Sequence, residues 1–221
     1  MNISPKLYFI FFLAFSLVSC STQEEMNFAE SLSGCLEDKD ILALNNATVY
    51  VELLLDGHYG NSNSNENFYA FLTDLSSPGF ISNFEKDFFI NEFSVQLLYE
   101  LEESGTFDKI WTLELPEEED SIEIPIAVLP ENEESKELDL SIYYIDPKGD
   151  YLKCLNEHSK NDKVIEILNS LSEGLSLSPN LIAGALKEAF NNNEVDDQLS
   201  KVVISMECYF SIVNLVDKNT R

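Results

Sequence analysis

The chain has 221 residues, 40 of them Asp or Glu against 13 Lys or Arg, and a formal net charge of −27. Its single Arg is the last residue, Arg221, so no basic patch exists to release counterions from a phosphate backbone, and nucleic acid is excluded as a partner. Phosphorylated and polyanionic substrates are disfavoured for want of bidentate Arg clamps. Fifteen Phe, nine Tyr and 44% hydrophobic residues place the chain outside the disordered regime and allow one domain, or a domain with an appendage.

Taken in order, Met1 to Lys6 carries one positive charge and Leu7 to Val18 is an apolar run of 12 residues. That run suits a secretory signal and falls short of the about 20 residues that a bilayer span needs. It ends in Leu17, Val18, Ser19 and Cys20, with Leu three positions before a Cys and a small residue just before it. These four residues resemble the lipobox of bacterial lipoproteins. The resemblance implies cleavage after residue 19, diacylation of the Cys20 thiol, acylation of the new amino group, and a lipid anchor in the cell envelope. Two or more acyl chains, at about 0.8 kcal/mol per buried CH₂, anchor stably.

Ser21 follows, where enterobacterial lipoproteins retained at the inner membrane carry Asp, so the resemblance favours the outer membrane. Gln23, Glu24 and Glu25 are similar to the acidic export signal of Bacteroidota surface lipoproteins. An acidic tether over residues 20–40 would look the same, and periplasmic face and cell surface stay open.

Removal of residues 1–19 leaves a charge of −28, of which −24 falls on residues 20–160 and −4 on residues 161–221. Residues 41–160 carry the alternation of strands half buried against a core. Val49, Val51, Leu53 and Leu55 form one such run, and Phe93, Val95, Leu97, Tyr99 and Leu101 another. Trp111 to Leu115, Ile122 to Val128 and Leu138 to Tyr144 continue the series; Asn67 to Thr73 and Tyr151 to Leu155 are weaker members. Pro125 lacks a ladder donor and marks an edge strand. Asp146, Pro147, Lys148 and Gly149 suit a tight turn between strands 138–145 and 150–155. The expected fold is mainly β with α: an acidic, antiparallel Ig-like β-sandwich over residues 41–160, without the Cys…Trp…Cys spacing of true immunoglobulin domains.

Residues 161–221 change to helical spacing, giving a small α-helical C-terminal region. Val164, Ile165, Leu168 and Leu171 share a face, and Ser178-Pro179 is an N-cap and first-turn pair opening a second helix. From 199 to 216 the pattern fits both strand and helix. Its length, Asp196 and Asp197 at the start and Lys218 near the end favour the helix.

Candidate chemistry is sparse. The oxygen-rich stretch Asp56 to Glu66 fails the EF-hand pattern, since Glu66 stands where the turn needs Gly, and reads as a polar loop. The acidic runs Glu117 to Asp120 and Glu131 to Glu134 read as solvated turns, with a divalent cation or a cationic protein kept as a partner. His58 and His158 lack an activated nucleophile, and no Gly-x-Ser-x-Gly or phosphate-cradling loop is present. Phe80, Phe84, Phe88, Phe89 and Phe93 are expected in the core. Asp120-Ser121-Ile122 resembles the O-glycosylation pattern of Bacteroidota.

After Cys20, the cysteines Cys35, Cys154 and Cys208 remain. Cys35 and Cys154 are the disulfide candidates, with three buried thiols as the alternative; no spacing suits zinc. No catalytic residue, metal or cofactor is expected. The functional expectation is a lipid-anchored, non-enzymatic binding or scaffolding module of the envelope. The alternatives are an inhibitor or immunity-type lipoprotein that captures a cationic protein, and a calcium-dependent glycan-binding protein.

Overall fold

A computed structural model of the protein describes residues 27–85, 87–113, 143–190 and 194–218. The expected β-sandwich is absent from it. The described residues form a helical bundle with one short antiparallel strand pair.

The packed chain begins at Phe28, which is buried with Ala29, Leu32 and Leu36. Helix α1 (Asp38–Tyr59) follows, its start held by the Glu37 N–H donating to Asp40 Oδ2 at 3.0 Å. Gly60, left-handed at φ 68°, ends it. Helix α2 (Ser64–Leu75) is capped by Asn63, whose side chain accepts from the Asn65 N–H at 3.0 Å. Helix α3 (Glu92–Ser104) is capped by Asn91, which accepts from the N–H groups of Phe93 and Ser94, while the Asn91 N–H donates back to Ser94 Oγ at 3.1 Å.

The short helix α4 (Phe107–Ile110) leads into β1 (Trp111–Thr112), which pairs antiparallel with β2 (Tyr144–Ile145) in the register Trp111 opposite Ile145. Helix α5 (Asp150–His158), α6 (Asp162–Ser172) and α7 (Pro179–Ala189) complete the outer layer. The last helix, α8, is a continuous rod made of Gln198–Val203, a π-helical stretch Ile204–Phe210, and Ser211–Lys218.

Helix α8 is the centre of the core. Val202, Val203, Ile204, Met206, Cys208, Tyr209, Phe210 and Val213 have almost no exposure, and α1, α2 and α7 pack around it. By length and composition Gln198–Asp217 would suffice to cross a membrane, but most of it is buried inside the bundle. Elements from both sides of residue 160 share one hydrophobic cluster.

Most runs read as strands are therefore helices, and α1 shows why. Its buried residues are Asp40, Ile41, Ala43, Leu44, Ala47, Thr48, Val51, Glu52 and Leu55, a stripe with steps of three and four. Asp40, Thr48 and Glu52 interrupt that stripe with polar side chains, while Leu53, counted as inward in a strand, is 62% exposed. In α3 the inward residues are Ser94, Leu98 and Leu101, and Phe93 is 70% exposed. Asn67 to Thr73 lies in α2 and Tyr151 to Leu155 in α5.

Of the remaining strand expectations, Trp111–Thr112 and Tyr144–Ile145 are extended. Leu115, residues 122–128 with Pro125, and residues 138–142 lie outside the described residues. The turn at Asp146 forms, with the Gly149 N–H donating to Asp146 O at 3.1 Å and the Lys148 N–H to Asp146 Oδ1 at 2.9 Å. It leads into α5 instead of a strand. A Cβ on Gly149 would stand 2.6 Å from the Lys109 carbonyl oxygen, so this close approach requires glycine. Helix α7 opens at Pro179 after Ser178, where the sequence places it.

Candidate functional site

The π-helical stretch of α8 carries an unusual side chain. Glu207 stands among Ile204, Met206, Cys208, Tyr209 and Phe210, and it is 0% exposed. Both carboxyl oxygens and the Tyr151 hydroxyl of α5 are buried, and the two side chains face each other as a hydrogen-bonding pair whose geometry falls outside the ordinary length and angle. Burial pushes the Glu207 carboxyl up to about 8, opposed by Tyr151. At neutral pH the group is mostly an uncharged acid. Burial also pushes the Tyr151 phenol and the Cys208 thiol up, and in both cases the neighbouring Glu207 adds to the effect.

The backbone that carries Glu207 is a π-helical turn. A π-helical turn adds a residue to the helical repeat and is often found at functional sites. Here the Ser211 N–H reaches back five residues to Met206 O. The Ser211 hydroxyl also donates to Met206 O at 3.1 Å and accepts from Trp111 Nε1 at 3.2 Å. The widened turn is thus tied to the β1 strand.

Glu207 lines a cleft of about 320 Å³. Tyr143, Tyr144 and Ile145 at the β2 edge form one wall; the connection between α6 and α7, with Leu175 and Leu177, forms another; Ile182 and Leu215 contribute from α7 and α8. The lining is mainly apolar, and it contains no Lys, Arg or His among the described residues. The volume is at the lower end of the range of about 300–1,000 Å³ usual for small-molecule sites.

No protein-family model, curated protein or solved structure matches the chain. What the cleft can do therefore follows from its own chemistry. Ser211 is not an activated nucleophile, since its hydroxyl is committed to Met206 and Trp111. A mainly apolar cleft with a few polar residues in its lining, here Tyr143, Tyr144, Ser176 and Ser178, is a means of holding and orienting a ligand.

The residues singled out from sequence lie elsewhere. Cys20, the lipobox and the signal fall outside the described residues, as do the acidic runs 117–120 and 131–134 and the Asp120-Ser121-Ile122 pattern. Cys35 and Cys154 are joined as a disulfide with their Cα atoms 5.9 Å apart, which ties the segment before α1 to α5. His158 is beside them, its Nδ1 3.9 Å from Cys35 Sγ and 3.0 Å from Cys154 O. Cys208 is a free, buried thiol.

His58 packs its ring on Tyr59, Phe84 and Phe88. The oxygen-rich stretch 56–66 is the last turn of α1, a short connection over 60–63 and the first turn of α2 rather than a hairpin loop; Asp56 Oδ1 accepts from Asn67 Nδ2 at 2.7 Å and Asn63 caps α2. Phe84 and Phe88 are in the core against Phe71 and Tyr209, whereas Phe93 faces solvent.

Sequence reasoning passed over Glu207. The available signal was a lone acid inside the apolar run Val202–Val213. A single carboxyl within a buried helix is expensive enough to warrant a functional reading.

Proposed function

We propose that the protein is a lipid-anchored, non-enzymatic binding module of the cell envelope that takes a small, largely apolar ligand into the cleft above Glu207. The observation that carries this reading is the mainly apolar cleft of about 320 Å³, whose walls include Ile145, Leu175, Leu177, Ile182 and Leu215. A ligand with an apolar body that fills it removes that surface from water. The envelope anchor rests on Leu17, Ser19 and Cys20 and their place at the end of an apolar run.

Two measurements test the reading. Displacement of a fluorescent hydrophobic probe by octanol should occur with the native chain and be lost in Ser176→Trp, which places an indole at the cleft mouth. Undiminished displacement in that variant would remove the cleft as the site. Cys20→Ser should move the protein from the membrane to the soluble fraction, and continued membrane fractionation would refute the anchor.

The mature charge of −28 favours a second reading, capture of a cationic protein by the acidic surface, with association that weakens steeply as salt rises.

A further inference from the structure

We infer that the outward face of α1 is a membrane-docking surface: Leu42, Val49 and Leu53 rest on the bilayer to which Cys20 tethers the chain, and α1 lies along it. This inference rests on the lipid anchor of the proposed function and is independent of the cleft.

The face is unusual for a chain of net charge −27. From Ile41 to Leu55 the only charged side chain is Glu52, and it is buried against Lys201. The outward positions over these residues are Leu42, Asn46, Val49 and Leu53, in the steps of three and four that share one side of a helix. Leu42 is 61% and Leu53 62% exposed, and Val49 is half-buried. A surface helix ordinarily turns charged residues to water, and a helix apolar all round is a covered one. The core covers the inward side of α1, whereas Leu42 and Leu53 stay open among the described residues. Phe93, 70% exposed, adds an apolar side chain at the end of α3 that Tyr50 of α1 holds by donating to Asn91 Oδ1 at 3.0 Å.

The place where the tether enters the fold selects the occupant. The Phe28 N–H donates to Asn45 Oδ1 of α1 at 2.8 Å, and Asn45 stands between Leu42 and Val49. The packed chain therefore begins beside this face. Residues 21–27 separate Cys20 from Phe28, and a chain of that length reaches at most about 29 Å. A domain of about 160 residues is roughly 40 Å across. Resting on its opposite side would lift Phe28 beyond the tether's reach, so the α1 side is the one held towards the bilayer.

The chemistry of the face agrees with lipid. An interfacial helix buries its apolar side by about 5–10 Å at the boundary between headgroups and acyl chains. A carboxylate there would lose hydration and meet like charge on an anionic leaflet, and the outward line of α1 carries none. A second copy of the chain fits less well. The line is roughly 22 Å long and about 10 Å wide, on the order of 220 Å², against about 800 Å² per partner in a standard interface. So small a face suffices at a bilayer, because the acyl chains already hold the protein there.

The chain's single Trp, Trp111, is 2% exposed, so a Trp introduced on the surface reports lipid contact against a quiet background. The full chain, expressed with its own signal, is reconstituted into phosphatidylcholine vesicles whose acyl chains are brominated near the headgroup. Leu42→Trp and Leu53→Trp should each lose about half or more of their added emission, as side chains at the depth of an interfacial helix would. The native chain and Leu181→Trp, an exposed position of α7, should keep theirs. Equal quenching of Leu53→Trp and Leu181→Trp on vesicles that carry the protein in flotation would overturn the docking face and leave the anchor standing. Failure of the native chain to float with the vesicles would overturn the anchor and this inference with it. Elution of the Cys20→Ser chain as a dimer that Leu42→Glu with Leu53→Glu makes monomeric would give the face to a second copy and overturn the lipid assignment.

Discussion

Lys201 Nζ of α8 lies 2.9 Å from Glu52 Oε1 of α1, with both side chains less than 5% exposed. Ser64 at the start of α2 donates to the same carboxylate and sits 3.2 Å from Lys201 Nζ. The ammonium also stands 5.5 Å from the Phe28 ring centroid and 5.2 Å from that of Phe68. One buried ion pair therefore joins the N-terminal segment, α1, α2 and α8. Removing one partner leaves an uncompensated charge in the core. Lys201→Met should cost about 3–5 kcal/mol in chemical denaturation, and adding Glu52→Gln should recover a large part of that. A single variant within 1 kcal/mol of the native stability would show that the pair carries no charge.

A second carboxylate, Asp40, governs the acid limb. Burial raises its pKa, but the hydrogen bonds from Lys109 at 2.6 Å, Thr106 at 2.9 Å and the Glu37 N–H, together with the Lys109 charge, outweigh that and hold it below the ordinary 3.8. A depressed folded-state pKa gives stability that is present above 3.8 and lost as pH falls through the lower folded value. Asp40→Asn should lower stability at neutral pH and flatten the loss between the native protein's neutral and acid denaturation midpoints. An unchanged acid limb would remove Asp40 from this role.

Glu207 predicts the opposite dependence. Its folded-state carboxyl titrates near 8 against an ordinary 4.5, so the folded protein keeps a proton that the unfolded chain has lost. The stability it contributes is fully present below 4.5 and declines as pH rises to about 8, by up to about 1.4 kcal/mol per pH unit. Glu207→Gln should remain stable at pH 8 and remove that slope. Equal slopes for the variant and the native chain between pH 5 and 8 would refute the assignment.

The bond between Cys35 and Cys154 closes a sequence separation of 119 residues, and reduction should lower stability by about 4–5 kcal/mol in the chain-entropy model. Alkylation of the denatured Cys20→Ser chain should label Cys208 alone before reduction, and Cys35, Cys154 and Cys208 after it. Labelling of all three without reductant would rule out the bridge.

Much of the local grammar is legible along the chain. Ser178-Pro179 opens α7, and the Asp146 to Gly149 turn is formed as its residue types require. The fold class was not legible, and α1 and α3 explain why. Their inward faces contain Asp40, Thr48, Glu52 and Ser94, each buried, while Leu53 and Phe93 point outward. Reading only the apolar positions, the remaining Val, Leu and Phe residues fall into alternation and mimic strands. The candidate site was hidden for the opposite reason: Glu207 sits within an apolar run and looks like an interruption.

The chain's composition settles the sign of its net charge and the presence of enough apolar surface for a core, because these are sums that do not depend on which residues meet. The choice of helix over strand, and the place of each buried polar group, depend on partners far apart in the chain. Glu52 becomes an inward residue because Lys201, 149 positions away, meets it. Glu207 becomes a buried, proton-holding acid because Tyr151 of α5 and the core around α8 close over it. A one-dimensional pattern records how hydrophobic a position is; whether a polar position is satisfied, exposed or held in reserve is a property of the contact.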